Sequence, residues 1–266
     1  MLVAGENYFW LSVKLSAHAD IDHTITASCP YLKFSDGKIH KPQAAIGAVH
    51  RLGVAVRQGG QGGVHTCRIP GLATTTKGTL IGVYDLRNRS GGDLPGDIDV
   101  GMSRSTDGGR TWEPTRVIMD MGRAAKWRYD GIGDPAVLVD RNTGTIWVAA
   151  TWSHGNRSWV GSGPGMKPHE TGQLMLVRSD DDGVTWSKPI NITEQIKNPE
   201  WCFILQGPGK GITMADGTHK RIDMVREGDR VLSWNHRTNK ICANDVAATV
   251  TKRDRCGVVA ITTFDE

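Results

Sequence analysis

Two octapeptides, Ser105-Thr106-Asp107-Gly108-Gly109-Arg110-Thr111-Trp112 and Ser179-Asp180-Asp181-Asp182-Gly183-Val184-Thr185-Trp186, fit one pattern, S-x-D-x-G-x-T-W, and begin 74 residues apart. Each follows a strand-like run, Ile98 to Met102 and Gln173 to Val177. The spacing has a physical reason. Asp and Gly make a tight hairpin turn, the Ser and Thr hydroxyls reach the turn's backbone, and the Trp folds back onto the sheet. Turn chemistry thus accounts for every fixed position, so Ser105, Asp107, Gly109 and Trp112, with Ser179, Asp181, Gly183 and Trp186, are expected to be structural staples rather than a ligand site. Repetition at a period of several tens of residues is the mark of blade or solenoid architectures.

Composition agrees. The 266 residues include 33 glycines and 9 tryptophans, with frequent Val, Ile and Thr, which predicts short strands joined by tight turns and an all-β fold. A chain that is 38% hydrophobic and 23% charged can bury a core, so disorder is excluded as the default. The formal charge of +4 comes from 32 basic and 28 acidic residues without a long run of either sign, which argues against a nucleic-acid groove. No stretch of about 18 apolar residues exists to span a membrane. The cysteines, Cys29, Cys67, Cys202, Cys242 and Cys256, form no CxxC pair and share no zinc-type spacing with His. They are expected to be buried thiols, and neither a metal nor a cofactor is expected.

Along the chain, Tyr8 to Leu15 and Ile21 to Cys29 read as two strands. They suggest the end of a β-sandwich module, or a strand pair on the side of the next domain. Residues 35–63 are polar and glycine-rich, as a linker is, so residues 1–48 are expected to be the remnant and its linker. The opening Met1-Leu2-Val3-Ala4-Gly5-Glu6 lacks a basic segment followed by an apolar one, so no export signal is read there.

Three candidate site residues have ordinary readings of their own. Arg68 reads as an exposed ion-pair residue. Asp93, between Gly92 and Pro95, reads as a turn former, with Asp97 and Asp99 as rivals for any acid role, and Asp134 reads as the entry turn before Pro135. Taken together with the paired boxes, however, Cys67-Arg68-Ile69-Pro70-Gly71-Leu72, Tyr84-Asp85-Leu86-Arg87, Gly91-Gly92-Asp93-Leu94-Pro95-Gly96 and Gly133-Asp134-Pro135 resemble, in order, the motifs of bacterial exo-α-sialidases (neuraminidases). The resemblance runs from about Arg51 to Thr213.

It implies a six-bladed β-propeller, of which residues 49–214 would form about two blades and the start of a third. It also implies a retaining glycosidase that releases terminal sialic acid through a covalent tyrosine intermediate, the tyrosine exception among such enzymes. Arg68 then resembles the first of three arginines that clamp the sugar carboxylate, a task suited to a planar guanidinium. Cys67 stands where the family usually has an aromatic residue. Asp93 resembles the general acid/base. Arg87 and Asp134 resemble the pair that reaches the O4 hydroxyl, and Trp127, Trp152 and Trp159 could line an apolar wall. The implied partners are sialylated glycans, and the implied setting is periplasmic or secreted.

The likeness fades after residues 207–214, which read as the first strand of a third blade. The family's glutamate, two further arginines and nucleophilic tyrosine cannot be placed, since Tyr8, Tyr31, Tyr84 and Tyr129 all come too early. A non-catalytic sialic-acid-binding fragment, or an inactive sialidase interrupted by an intein or Hint element, is therefore the alternative function. Residues 215–266, with Ala215-Asp216-Gly217-Thr218 and Gly228-Asp229-Arg230-Val231-Leu232-Ser233, resemble the early part of an intein or hedgehog-type Hint domain. Self-processing is not expected, because no nucleophilic Cys or Ser precedes the Asp216-Gly217 turn in the required place.

Overall fold

The computed structural model describes residues 12–16, 18–20, 23–41, 48–122, 130–211, 213–218, 220, 224–235, 240–251 and 259–263. The chain divides into two compact units, Met1–Ala55 and Val56–Glu266. In the first, β1 (Thr24–Ala27), β2 (Leu32–Lys33), β3 (Ile39–His40) and β4 (Ala48–Arg51) form two antiparallel ribbons, β1 with β4 and β2 with β3. None of its described residues is buried, as expected of two-stranded ribbons too small to enclose a core. Strand β1 falls within the second of the two strands expected near the start. Half of the first, residues 8–11, lies outside the described residues, and its described part, Ser12 to Leu15, has no regular structure.

The second unit is built on two antiparallel sheets. One runs in chain order through β5 (Thr66–Thr74), β6 (Leu80–Arg87), β7 (Ile98–Ser105) and β8 (Arg116–Met119). The other runs through β9 (Gly131–Val139), β10 (Ile146–Ser153), β11 (Gln173–Ser179) and β12 (Ile190–Asn191), with β13 (Gly209–Lys210) added in parallel beside β9. Ile81, Val83, Val100 and Met102 of the first sheet share one buried cluster with Ile132, Val137, Val148 and Val177 of the second. Strands β6 and β7 are buried almost residue for residue rather than alternately, because both faces of the sheet are covered. The protein is all-β. The one α-helix among the described residues is a single turn, Thr193–Ile196.

Both octapeptides close hairpins by the same hydrogen bonds. The Ser105 hydroxyl donates to Asp107 Oδ1 at 2.8 Å and accepts from the Gly109 amide at 2.9 Å, while Thr111 Oγ1 donates to Asp107 Oδ2 at 2.6 Å. In the second turn Ser179 Oγ donates to Asp181 Oδ1 at 2.8 Å, the Gly183 amide donates to Ser179 Oγ at 2.8 Å, and Thr185 Oγ1 donates to Asp181 Oδ2 at 2.6 Å. Trp112 folds back over Gly82, where a Cβ would meet the ring at 3.6 Å, and Trp186 packs against the shared core. The second turn also grips the first sheet. Arg104 on β7 donates from Nη2 to Asp182 Oδ2 at 3.0 Å and from Nε to the Asp182 carbonyl at 2.9 Å, and Thr79 Oγ1 donates to Asp182 Oδ2 at 2.6 Å.

A four-stranded sheet of β14 (Thr213–Met214), β15 (Arg230–Asn235), β16 (Lys240–Thr251) and β17 (Val259–Thr263) completes the unit, in that order. The stretch expected to open a third blade is thus divided. Gly209–Lys210 lines up with β9, whereas Thr213–Met214 pairs with β15. Gly209, which opens β13 at a φ of 116°, adopts backbone that only glycine tolerates well. The cysteines also depart from expectation: Cys29 and Cys202 are exposed, Cys67 and Cys242 half-buried, and all four are free thiols. Cys29 and Cys202 lie in irregular segments that have no core to enter, and Cys256 lies outside the described residues. Among the described residues no helix is long and apolar enough to cross a membrane.

Candidate active site

In an antiparallel sheet the start of one strand lies beside the end of the next. The start of β5 and the end of β6 therefore fall together, and the register places Arg68 opposite Asp85. Just beyond, the pairing of β5 with β6 slips between Arg68 and Gly71. Pro70 has no N–H for the ladder, and Ile69 sits at a φ of 55°, so the strand bulges immediately after Arg68. Along β6, Asp85 and Arg87 are two residues apart and so share a face.

That face holds the cluster. Both side chains are fully buried, and Arg87 donates to Asp85 Oδ2 from Nε at 3.1 Å and from Nη2 at 2.9 Å. Nη1 donates to the Gly91 carbonyl at 3.0 Å, and Nη2 also reaches Asp93 Oδ1 at 3.2 Å. The loop between β6 and β7 is thereby drawn over the guanidinium, leaving the Asp93 carboxyl 60% exposed and open to a ligand. The other oxygen of Asp85, Oδ1, accepts the Asp134 amide at 2.8 Å. Asp134 lies in β9 at a φ of 58°, a left-handed conformation that costs an ordinary residue about 1 kcal/mol but that Asp tolerates better than most. Two bonds hold it there: the one from its amide to Asp85, and one from Gln206 Nε2 to its carbonyl. Gln206 is itself fixed by the Thr151 hydroxyl, which donates to Oε1 at 2.8 Å.

Carboxylate oxygens of Asp85, Asp93 and Asp134 lie within 4.8 Å of one another. The buried guanidinium of Arg87 supplies the positive charge such a trio needs. Burial pushes Asp85 up to about 6, against the Asp134 amide and Arg87, which pull it down. Burial also raises Asp134, helped by the charge of Asp93 and opposed by Arg87 and Arg68. Arg68, exposed on β5, is therefore close enough to act on the same carboxyl.

The structure thus brings Arg68, Arg87, Asp93 and Asp134 together at one end of the two sheets. The rivals of Asp93 are engaged elsewhere: Asp97 accepts from Arg89 Nε at 2.8 Å, and Asp99 accepts from Asn88 Nδ2 at 2.9 Å. The eight box residues stand at hairpin turns apart from this cluster. Of the three tryptophans, Trp152 is half-buried and donates to Asp130 Oδ1 at 2.5 Å, Trp159 is exposed, and Trp127 lies outside the described residues. The Tyr84 hydroxyl is held between Ser103 Oγ and Thr115 Oγ1, both at 2.7 Å. Sequence reasoning overlooked Asp85 and Gln206. Asp85 carried a usable signal, a carboxylate two residues before an arginine in a strand, whereas Gln206 lies in an irregular segment that offers none.

Two sheets that repeat one turn, with a cluster of carboxylates and guanidiniums at their common end, define an all-β repeat protein with a polar site. The chain belongs to the BNR repeat-like domain family, whose profile matches residues 88–220. It is 48% identical over 224 residues to a sialidase of Bacteroides fragilis, an alignment covering 82% of this chain and 41% of that protein. In structure it resembles the Hadza microbial sialidase Hz136, with a TM-score of 0.60 at 56% identity, over 68% of this chain and 36% of that one. It also shares the fold of the intramolecular trans-sialidase from Ruminococcus gnavus, with a TM-score of 0.54 at 15% identity, over 78% of this chain and 68% of that one. The chain thus spans about two fifths of the length of the Bacteroides relative.

Proposed function

We propose that the two sheets are blades of a six-bladed propeller and that their common end carries part of an exo-α-sialidase site. The observation that carries this reading is the contact of Arg87 Nη2 with Asp93 Oδ1 beside Asp134 and Arg68, since it gathers an exposed acid, a hydroxyl-binding pair and a carboxylate-binding arginine around one spot. Arg68 receives the carboxylate of a terminal sialic acid through parallel hydrogen bonds. Asp134 accepts from the O4 hydroxyl, and Arg87, fully buried, donates to it when Asp93 releases its Nη2 hydrogen. Asp93, in its acid form, protonates the departing glycosidic oxygen and, as carboxylate, later takes a proton from the attacking water. Sialylated glycans outside the cytoplasm are the substrates this chemistry fits. The four-stranded sheet from β14 to β17 is read as a Hint-like element.

Incubation of the whole chain with a fluorogenic sialoside tests the reading. We expect Asp93→Asn to reduce turnover by about 10²- to 10⁴-fold. Parent turnover no greater than that of Asp93→Asn would reject catalysis by this chain. A second reading, sialic-acid binding without cleavage, is favoured by the engaged hydroxyl of Tyr84, which leaves the cluster without a described nucleophile. Calorimetry with free sialic acid decides it, because equal heats for the parent and Arg68→Ala remove binding at this cluster as well.

A further inference from the structure

Backbone held in a sparsely populated conformation persists only where its surroundings over-determine it. Asp134, at a φ of 58°, is such a residue, and its chain neighbours do not fix it: Gly133 is free to turn, and Pro135 has no N–H to bond back. One hydrogen bond at each end does so, from its amide to Asp85 and from Gln206 Nε2 to its carbonyl. We propose that Gln206 is a positioning residue for Asp134, holding its backbone so that the site selects sialic acids with a free hydroxyl at C4. The proposal rests on the reading of Asp134 as the acceptor of that hydroxyl's hydrogen.

The register of β9 with β10 shows why an outside donor is needed. Ala149 pairs with Ala136 and Thr151 with Gly133, so Ala150 alone stands opposite both Asp134 and Pro135. Asp134 therefore lies in a bulge, where the ladder is interrupted and a carbonyl loses its partner across the sheet. Gln206 takes that partner's place. Its amide is held from the other side as well, because the fully buried hydroxyl of Thr151 donates to Oε1 at 2.8 Å, which leaves the N–H groups of Nε2 for Asp134. The segment that carries Gln206 is anchored three residues on. Gly209 pairs with Ala136 of β9, and its carbonyl lies against Gly71 of β5, closer than a Cβ at Gly71 would allow. A neutral amide suits the place, since it donates without adding charge beside the carboxylates of Asp85, Asp93 and Asp134. A glutamate would lack the N–H and bring a fourth negative charge.

Without the Gln206 amide the Asp134 carbonyl has no partner in the bulge, and the peptide is free to return to extended backbone. The Asp134 carboxyl then leaves its place beside Asp93, while Arg68 and Asp93, held by other strands and loops, stay where they are.

Calorimetry on the whole chain with free sialic acid and with 4-deoxy sialic acid tests this. The parent should bind the 4-hydroxyl sugar about tenfold more tightly, as befits a hydrogen bond to a charged group. Gln206→Ala should lose that preference and bind the 4-deoxy sugar as the parent does. A preference equal to the parent's would overturn the proposal. So would an equal loss of affinity for both sugars, which marks a residue that only supports the fold. Gln206→Glu, of the same size, stands in if Gln206→Ala does not fold. Hydrogen exchange supplies a readout that needs no ligand: in either variant the Asp134 amide should exchange about tenfold faster, with the Val100 amide in the other sheet unchanged. Exchange at Asp134 equal to the parent's would overturn the proposal. Failure of the underlying reading shows instead in the parent, as no binding of either sugar or equal binding of both, whereas failure of the Gln206 role shows in the variants' exchange.

Discussion

Gly131 begins β9, and an ideal Cβ built on it would stand 2.0 Å from the carbonyl oxygen of Gly96 and 3.1 Å from Leu94 Cδ2. Both belong to the loop that carries Asp93, so the second sheet supports that loop by direct backbone approach. Real Cβ atoms essentially never come nearer than 3.0 Å to such an oxygen, so Gly131→Ala must move strand or loop by about 1 Å. Overpacking of this kind costs about 1–3 kcal/mol. In a domain of this size that lowers the melting temperature by about 2–12 °C. The loop is the freer partner, since its hold on the sheets includes single hydrogen bonds such as those from Arg87 to Gly91 and Asp93. Asp93 therefore moves with it, and displacement of a catalytic group by about 1 Å can reduce kcat about 100-fold. The assay is a thermal melt beside fluorogenic sialoside turnover, with Gly207→Ala as control, because a Cβ at Gly207 meets nothing within 4 Å. A Gly131→Ala chain that melts and turns over like the Gly207→Ala control would refute the claim that backbone contact between the sheets sets the position of Asp93.

Two further outcomes follow from the turns. Arg104 and Asp182 are 14% and 8% exposed, so Arg104→Ala strands a buried carboxylate and should cost about 3 kcal/mol. The check is a melt in which the loss clearly exceeds that of Arg89→Ala, an exposed arginine paired with Asp97; equal losses would refute the tie between sheets. Acid stability is the other outcome. Hydrogen bonds from Thr185 hold Asp181 down to about 2, and those from Thr111 hold Asp107 well below its ordinary value. A lowered folded value means a contribution that is full above about pH 4 and lost as pH falls toward 2. Asp85 acts in the opposite sense: raised to about 6, it makes the folded state less stable as pH climbs from about 4 to 6. Melts recorded from pH 6 down to 2.5 should therefore show Asp181→Asn flattening the loss below pH 4 and Asp85→Asn removing the slope above it. Curves parallel to the parent in both variants would refute these assignments.

What was legible in the sequence depended on whether a feature was local. Each box is complete within eight residues, and its Ser, Asp, Gly and Thr bond one another, so pattern and structure coincide. The strands leading into the boxes were legible for the same reason. Residues 207–214 were not, because the partners of Gly209–Lys210 and Thr213–Met214 lie in β9 and β15, far along the chain in opposite directions. The site shows the same division. Asp93 and Arg87 belong to one short loop and the strand before it, while the part played by Asp85 emerges only when β9 delivers the Asp134 amide to it from 49 residues away.

That long-range closure also bears on the chemistry proposed for the cluster. Arg68 and Arg87 bring two positive charges and Asp85, Asp93 and Asp134 three negative ones, so the fully ionised cluster is negative and repels an anionic sugar. Protonation of one carboxyl removes the repulsion. Burial raises Asp85, to about 6, and also Asp134, so these are the carboxyls that take up a proton first. Binding of a sugar carboxylate at Arg68 and uptake of a proton by these carboxyls thus favour each other, since each makes the other electrostatically cheaper.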